Sequence, residues 1–133
     1  MLDHIAIAVK NPKDFIDIFQ KIGFEYKNKE VVESEGVIIH FLIKENLRIE
    51  LLEPLNENSK ILNFISKRGE TFHHIAFSVK NISKEIENLK EKGFEFINEE
   101  PKKGAEGKKI SFINPKSSKG VLIEIVEVEC EHK

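Results

Sequence analysis

A single cysteine, Cys130, stands three residues from the end of this 133-residue chain. One thiol excludes an internal disulfide and suits a reducing, cytoplasmic setting. So near a terminus it has no fixed geometry for nucleophilic catalysis, and Cys130 reads as an ordinary thiol. Long hydrophobic runs are also missing. None approaches the ~20 residues of a membrane span, and Met1-Leu2-Asp3-His4 lacks the basic-then-apolar layout of a secretory signal. Charge of one sign is absent as well: 21 Lys and Arg face 23 Asp and Glu, for a net charge of −2. Nothing therefore marks a nucleic-acid footprint. A chain of this length buries roughly two-thirds of its unfolded surface, so a core forms without disulfide staples.

What the sequence has instead is repetition, the feature that sets an architecture before any other. His4-Ile5-Ala6-Ile7-Ala8-Val9-Lys10-Asn11 returns 70 residues later as His74-Ile75-Ala76-Phe77-Ser78-Val79-Lys80-Asn81, and between 4–30 and 74–100 the two copies agree at 12 of 27 positions without a gap. A second echo, Ile49-Glu50-Leu51 and Ile123-Glu124-Ile125, is offset by 74. Each half thus offers a histidine on its first strand and a glutamate on its last.

Period-two alternation makes residues 3–9 a strand. Asn11-Pro12 supplies a helix cap and a first-turn proline. Phe15, Ile16, Phe19 and Ile22 follow at helical spacing, and Gly23 closes the helix. Strands are expected over 24–32, 37–43 and 47–52, separated by turns at Glu33–Gly36 and Glu45-Asn46. A connector from Pro54 to about Glu70 carries a short helix capped by Ser59. The second half repeats the order: strand 73–79, a helix from Asn81 to Gly93, then strands near 94–98, 109–113 and 121–127. The fold class is α+β, with two tandem βαβββ modules in one domain: module one 1–53, connector 54–70, module two 71–133.

Side chains two apart on a strand share a face. His4, Ala6 and Ala8 share one face of the first strand; Ile5, Ile7 and Val9 share the other. His74, Ala76 and Ser78 stand likewise against Ile75, Phe77 and Val79. The bulky faces suit packing on each helix, and the faces with a histidine followed by small residues suit a cavity. Glu50 and Glu124 are each flanked by branched apolar residues, a costly place for a carboxylate unless it is paired or bound to a metal. Two histidines and two glutamates make a mixed imidazole and carboxylate set suited to one divalent first-row ion, Co, Mn, Ni, Zn or Fe. A lone strand histidine is usually structural and a lone strand glutamate usually solvated; the repetition of the pair favours the metal. His73 faces away from His74 and reads as structural or supporting, and His40 and His132 carry no constellation.

Several stretches resemble the vicinal oxygen chelate (glyoxalase/bleomycin resistance/dioxygenase) superfamily, and within it the methylmalonyl-CoA epimerase family. They are His4–Val9, Ile49–Leu55, Arg68-Gly69-Glu70 with His73–Phe77, Glu100–Ala105, and Asn114-Pro115-Lys116-Ser117-Ser118-Lys119-Gly120-Val121-Leu122-Ile123-Glu124. The Pro-Lys-Ser tail is the discriminating stretch, because glyoxalase I relatives carry a shorter Asp-Pro-Asp-Gly turn there. The resemblance implies a cupped mixed sheet around one metal site held by His4, Glu50, His74 and Glu124. It implies interconversion of (R)- and (S)-methylmalonyl-CoA through a metal-stabilised enolate, with Glu124 and Glu50 as the candidates for proton transfer. It implies an acyl-CoA substrate and a homodimer. Lys102, Lys103 and Lys116 are expected near the CoA phosphates, with Lys108, Lys109 and Lys119 close by, and Gly104 and Gly107 are expected to free a loop to close over the ligand. The chain departs from the pattern at Ile39, where some epimerases place a second glutamate, and at Asn114, where many have histidine. A glyoxalase I type lyase and a metal-free binding or resistance protein of the same fold remain the alternatives.

Overall fold

Strand parity sorts these side chains before any tertiary contact forms, and the helices settle on the faces that parity makes apolar. The computed structural model describes residues 1–129, so Cys130 and His132 lie outside the described residues. The chain runs β1 (Leu2–Ala8), α1 (Pro12–Ile22), β2 (Glu25–Val32), β3 (Val37–Lys44), β4 (Leu47–Pro54), α2 (Lys60–Arg68), β5 (Phe72–Val79), α3 (Ile82–Glu91), β6 (Lys102–Lys103), β7 (Lys109–Ile113) and β8 (Ile123–Glu127). These residues divide into two compact units, His4–His73 and Met1–Asp3 with His74 onward.

In the unit His4–His73 the strand order is β2-β3-β4-β1. The β2–β3 and β3–β4 pairs are antiparallel and the β1–β4 pair is parallel. Val9, Phe24, Leu42, Ile49 and Leu51 form the core, and Ile5, Ile7, Phe15, Ile16 and Phe19 pack against it. Phe15, Ile16 and Phe19 recur at the three-to-four-residue spacing that puts them on one helix face. Burial of each large apolar side chain contributes about 1.5–3 kcal/mol.

The ends of α1 show how the expected caps are realised. Pro12 takes the first turn, but the Asn11 side chain makes no cap. The Glu70 carboxylate instead accepts from Lys10 N–H at 2.7 Å and Asn11 N–H at 3.4 Å, putting an anion at the positive end of the helix. At the other end Gly23 adopts φ 112° and its N–H bonds the Gln20 carbonyl. Lys44 Nζ donates to the Ile22 carbonyl at 2.9 Å, the role a basic side chain plays at a helix C-terminus. In the connector, Ser59 Oγ accepts from Ile61 N–H at 3.2 Å, while Ile61 and Ile65 are buried.

In the other unit the order is β6-β7-β8-β5, with β5 and β8 parallel. Ile82 and Ile86 of α3 form a core with Ile125, against which Val79 and Phe96 pack. Across the strands lies a second cluster of Ala76, Ile110 and Val126 with Phe112. Asn81 Oδ1 caps α3 by accepting from Lys84 N–H at 3.1 Å, and Glu127 accepts from Ile82 N–H at 3.1 Å. The first three residues join this unit, where the Met1 carbonyl accepts from Ser78 N–H at 2.8 Å.

The strand expected near 94–98 is reduced to an isolated bridge between Phe96 and Ile113, and Lys102–Lys103 forms the edge strand instead. Ile97 N–H donates to the Phe112 carbonyl and Asn114 N–H to the Glu95 carbonyl. The Ser111 hydroxyl then takes the Asn98 carbonyl at 3.1 Å, and the ladder stops. Pro101 has no N–H with which to resume it. Gly104 sits so close to β7 that a Cβ there would lie 2.7 Å from Ile110 Cδ1. Gly104→Ala should therefore lower unfolding free energy by roughly 1–3 kcal/mol through overpacking. A urea titration checks this as a lower midpoint with an unchanged slope.

Candidate functional site

The parallel β1–β4 register sets Ala6 beside Glu50. His4 lies two residues before Ala6 on the same face, and the alanine methyl leaves the glutamate room to turn toward the imidazole. His4 Nδ1 and Glu50 Oε2 are 3.2 Å apart, with both residues only 4% exposed. On β3 the register partner of Glu50 is Phe41. Arg48, two residues before Glu50, lays its guanidinium 4.5 Å from the Phe41 ring centroid and brings Nε to 3.3 Å from Glu50 Oε2.

The second unit repeats the construction. Ala76 is beside Glu124 in the parallel β5–β8 pair, and Phe112 is the partner of Glu124 on β7. His74 Nε2 and Glu124 Oε1 are 3.5 Å apart, each residue 5% exposed. Phe112 stands edge-on to His74, with ring centroids 5.4 Å apart and planes at 88°. Each unit thus joins a buried histidine to a buried glutamate beside an alanine and opposite a phenylalanine. A carboxylate taken out of water costs several kcal/mol unless a proton or cation compensates it. Two such pairs in equivalent places are a chemical arrangement, not a packing accident.

Residues 3–112 match the Glyoxalase/Bleomycin resistance protein/Dioxygenase superfamily. The chain belongs to that superfamily. It is 37% identical over 127 residues to the uncharacterized protein YqjC of Bacillus subtilis, covering 95% of this chain and 91% of that one. It is 35% identical over 130 residues to an ethylmalonyl-CoA/methylmalonyl-CoA epimerase of Cereibacter sphaeroides, covering 96% and 97%. Among solved structures, a Streptomyces coelicolor methylmalonyl-CoA epimerase in complex with 2-nitronate-propionyl-CoA aligns with TM-score 0.89 at 33% identity, covering 98% of each chain. The α+β pair of modules expected from the repeat, and the glyoxalase-like fold implied by the resemblance, are what these superfamily members share.

The superfamily's repeated strands also place the remaining expected residues. Lys102 Nζ lies 5.8 Å from the Phe112 ring centroid, one ring away from His74. Lys103 and Lys116 are exposed, on β6 and in the Pro115–Ser117 turn. Lys108 Nζ is 3.5 Å from Glu106. His73 stands edge-on to Phe64 with centroids 4.7 Å apart. Phe41 and Phe112 oppose the glutamates only once strand register is known. Arg48 did carry a signal, since it is two residues from Glu50 and so on its face, but an isolated strand arginine reads equally well as a solvated charge.

His40, also without a reading, is buried on the helix side of β3 and anchors a polar chain. Tyr26 Oη lies 2.9 Å from His40 Nδ1, and His40 Nε2 lies 2.9 Å from Glu53 Oε1. The consistent tautomer has the tyrosine hydroxyl donating to Nδ1 and Nε2–H donating to the carboxylate. Burial raises the Tyr26 hydroxyl pKa above its ordinary value, and the Glu53 charge adds to the effect. The folded state therefore holds this proton more tightly than the unfolded chain does. Its contribution is complete below the ordinary tyrosine value of about 10 and is lost as pH rises from there through the raised folded value. Tyr26→Phe should remove that part of the alkaline slope in urea midpoints measured from pH 8 to 11. At neutral pH it should cost about 0.5–1.5 kcal/mol for the lost hydrogen bond.

Proposed function

We propose that this chain is an epimerase interconverting the (R) and (S) forms of methylmalonyl-CoA, and that His4, Glu50, His74 and Glu124 hold one divalent metal ion. The observation that carries the reading is the duplicated buried His–Glu pair, found in a chain whose relatives include epimerases of this substrate. The donor set fits such an ion. Two imidazoles and two carboxylates with no thiolate suit Co, Mn, Ni, Zn or Fe. Within each unit a ring nitrogen is turned toward a carboxylate oxygen, an arrangement stabilised by a shared proton or by a cation. When bound, the ion supplies Lewis-acid stabilisation of the negative charge that grows on the substrate oxygen as the α-proton leaves.

The chain's own residues do the rest. Epimerisation needs a base on one face of C2 and an acid on the other. Glu124 takes one of these roles and Glu50 is the candidate for the second, since Ile39 offers no carboxylate. Ala6, Ala8 and Ala76 are fully buried and keep bulk away from the acids. Phe41 and Phe112 lie opposite Glu50 and Glu124 and help exclude water, which strengthens the electrostatics around the reacting carbon. Lys102, Lys103 and Lys116 are the cations offered to the CoA phosphates. A single domain of two modules, a homodimer and a cytoplasmic setting belong to the same reading. The relatives named for methylmalonyl-CoA favour it over a glyoxalase-type lyase or a metal-free binding protein.

The test is deuterium incorporation from solvent at C2 of methylmalonyl-CoA, followed by mass spectrometry, with metal-loaded and chelator-stripped protein. Metal-dependent exchange is expected, and Glu124→Gln should slow it by about 10²–10⁴-fold, the usual contribution of a positioned acid or base. Absence of exchange in metal-loaded protein would sink the assignment.

A further inference from the structure

The chain has two arginines among its 21 basic residues, Arg48 and Arg68, and each lies over a phenylalanine ring. Among the described residues, only Arg48 of the two also meets a buried carboxylate. Its Nε is 3.3 Å from Glu50 Oε2, the same oxygen that lies 3.2 Å from His4 Nδ1. The guanidinium is planar and carries its donors in a fixed fork, so a ring on one side and a carboxylate on the other define its position. Both supports are set by register: Phe41 is opposite Glu50, and Ile43, two residues further along the same face of β3, is opposite Arg48. The Arg48 side chain is only 19% exposed, so solvent screens this contact weakly. The contact is an ion pair, and a cation so fixed draws the Glu50 carboxylate to its side.

The repeat shows that this feature is not simply part of the shared design. With the offset of 74 that relates Glu50 to Glu124, the residue equivalent to Arg48 is Leu122. The two modules share histidine, alanine, glutamate and phenylalanine, and differ at this position. Arg48 comes from the glutamate's own strand, whereas the cation over Phe112 in the second module is Lys102 of β6.

We infer that Arg48 is a positioning residue that orients Glu50 as a metal-anchoring ligand and sets how tightly this half of the site holds the ion. The inference rests on the reading of Glu50 as a ligand. Partners of this kind, which orient a ligand without touching the metal, change metal affinity by about 10–100-fold when removed. Lysine keeps the charge but lacks the plane that stacks on Phe41 and holds that charge in place.

Calorimetric titration of Co²⁺ into metal-free protein is the experiment, with wild type, Arg48→Gln, Arg48→Lys and Arg68→Gln compared and the melting temperature of each metal-free protein recorded. Arg48→Gln and Arg48→Lys should each weaken Co²⁺ binding by about 10–100-fold, beyond any change that tracks melting temperature. Arg68→Gln, which removes the other ring-stacked arginine, should leave the affinity at the wild-type value. Wild-type affinity in folded Arg48→Gln overturns the inference. Wild-type affinity in Arg48→Lys overturns it too, because charge alone would then suffice, and this variant decides the matter should Arg48→Gln fail to fold. Failure of wild type itself to bind Co²⁺, Mn²⁺ or Zn²⁺ would remove the metal reading and this inference together. Wild-type binding with unaffected Arg48 variants removes only the inference.

Discussion

Two parallel strand pairings, β1 with β4 and β5 with β8, carry everything else in this protein. Each sets an alanine beside a glutamate and so brings the carboxylate level with the histidine two residues upstream. A slip of one residue would turn Glu50 or Glu124 to the helix side, among Leu51 and Ile125, where a charge has no compensation. The register is held from that same side, by Ile5 against Ile49, Ile7 against Leu51, Ile75 against Ile123 and Phe77 against Ile125. Core packing and site geometry are therefore one constraint seen from opposite faces of the strands. Substitutions in the apolar layer would be felt at the acids without touching them.

The modules diverge most on the side away from the acids. The first has Tyr26, His40 and Glu53 joined in a polar chain. The offsets of 70 and 74 align Tyr26 with Phe96 and Glu53 with Glu127, and the register opposite Leu51 and Ile125 aligns His40 with Ser111. Phe96 has become part of an apolar cluster, Ser111 bonds the Asn98 carbonyl, and Glu127 has turned to the start of α3. In the first module the corresponding duty at the start of α1 falls to Glu70 from the connector, which leaves Glu53 to face His40. One glutamate position thus serves a helix end in one copy and a buried imidazole in the other, and the neighbouring residues have changed to suit.

Much of this was legible in the sequence, for definable reasons. The histidines and glutamates stood out because parity and repetition are both local: they need only spacing along the chain. The helices were legible from Pro12, Gly23, Asn81 and Gly93 for the same reason. What escaped needed register or distance. Phe41 and Phe112 oppose the acids across strands, Tyr26 and Glu53 meet His40 only after β2, β3 and β4 pair, and Glu70 displaces the Asn11 side chain as the cap from 59 residues away. The strand expected at 94–98 had the right composition, but Ser111 and Pro101 ended its ladder, a competition that alternating hydrophobicity does not reveal.

The ties that finish each unit also bear on how the chain comes together in time. Glu70 reaches Lys10 across 60 residues, Glu127 reaches Ile82 across 45, and Ser78 reaches Met1 across 77. Loop closure over such spans adds little to the entropic cost once a chain is long, yet it delays the reward until both ends exist. During synthesis α1 lacks its anionic cap until the connector emerges, and the tie between Met1 and Ser78 forms only once β5 has followed. Isoleucine-rich β1, which carries His4, has no strand partner until β4 has been made, and until then it depends on being kept from wrong ones.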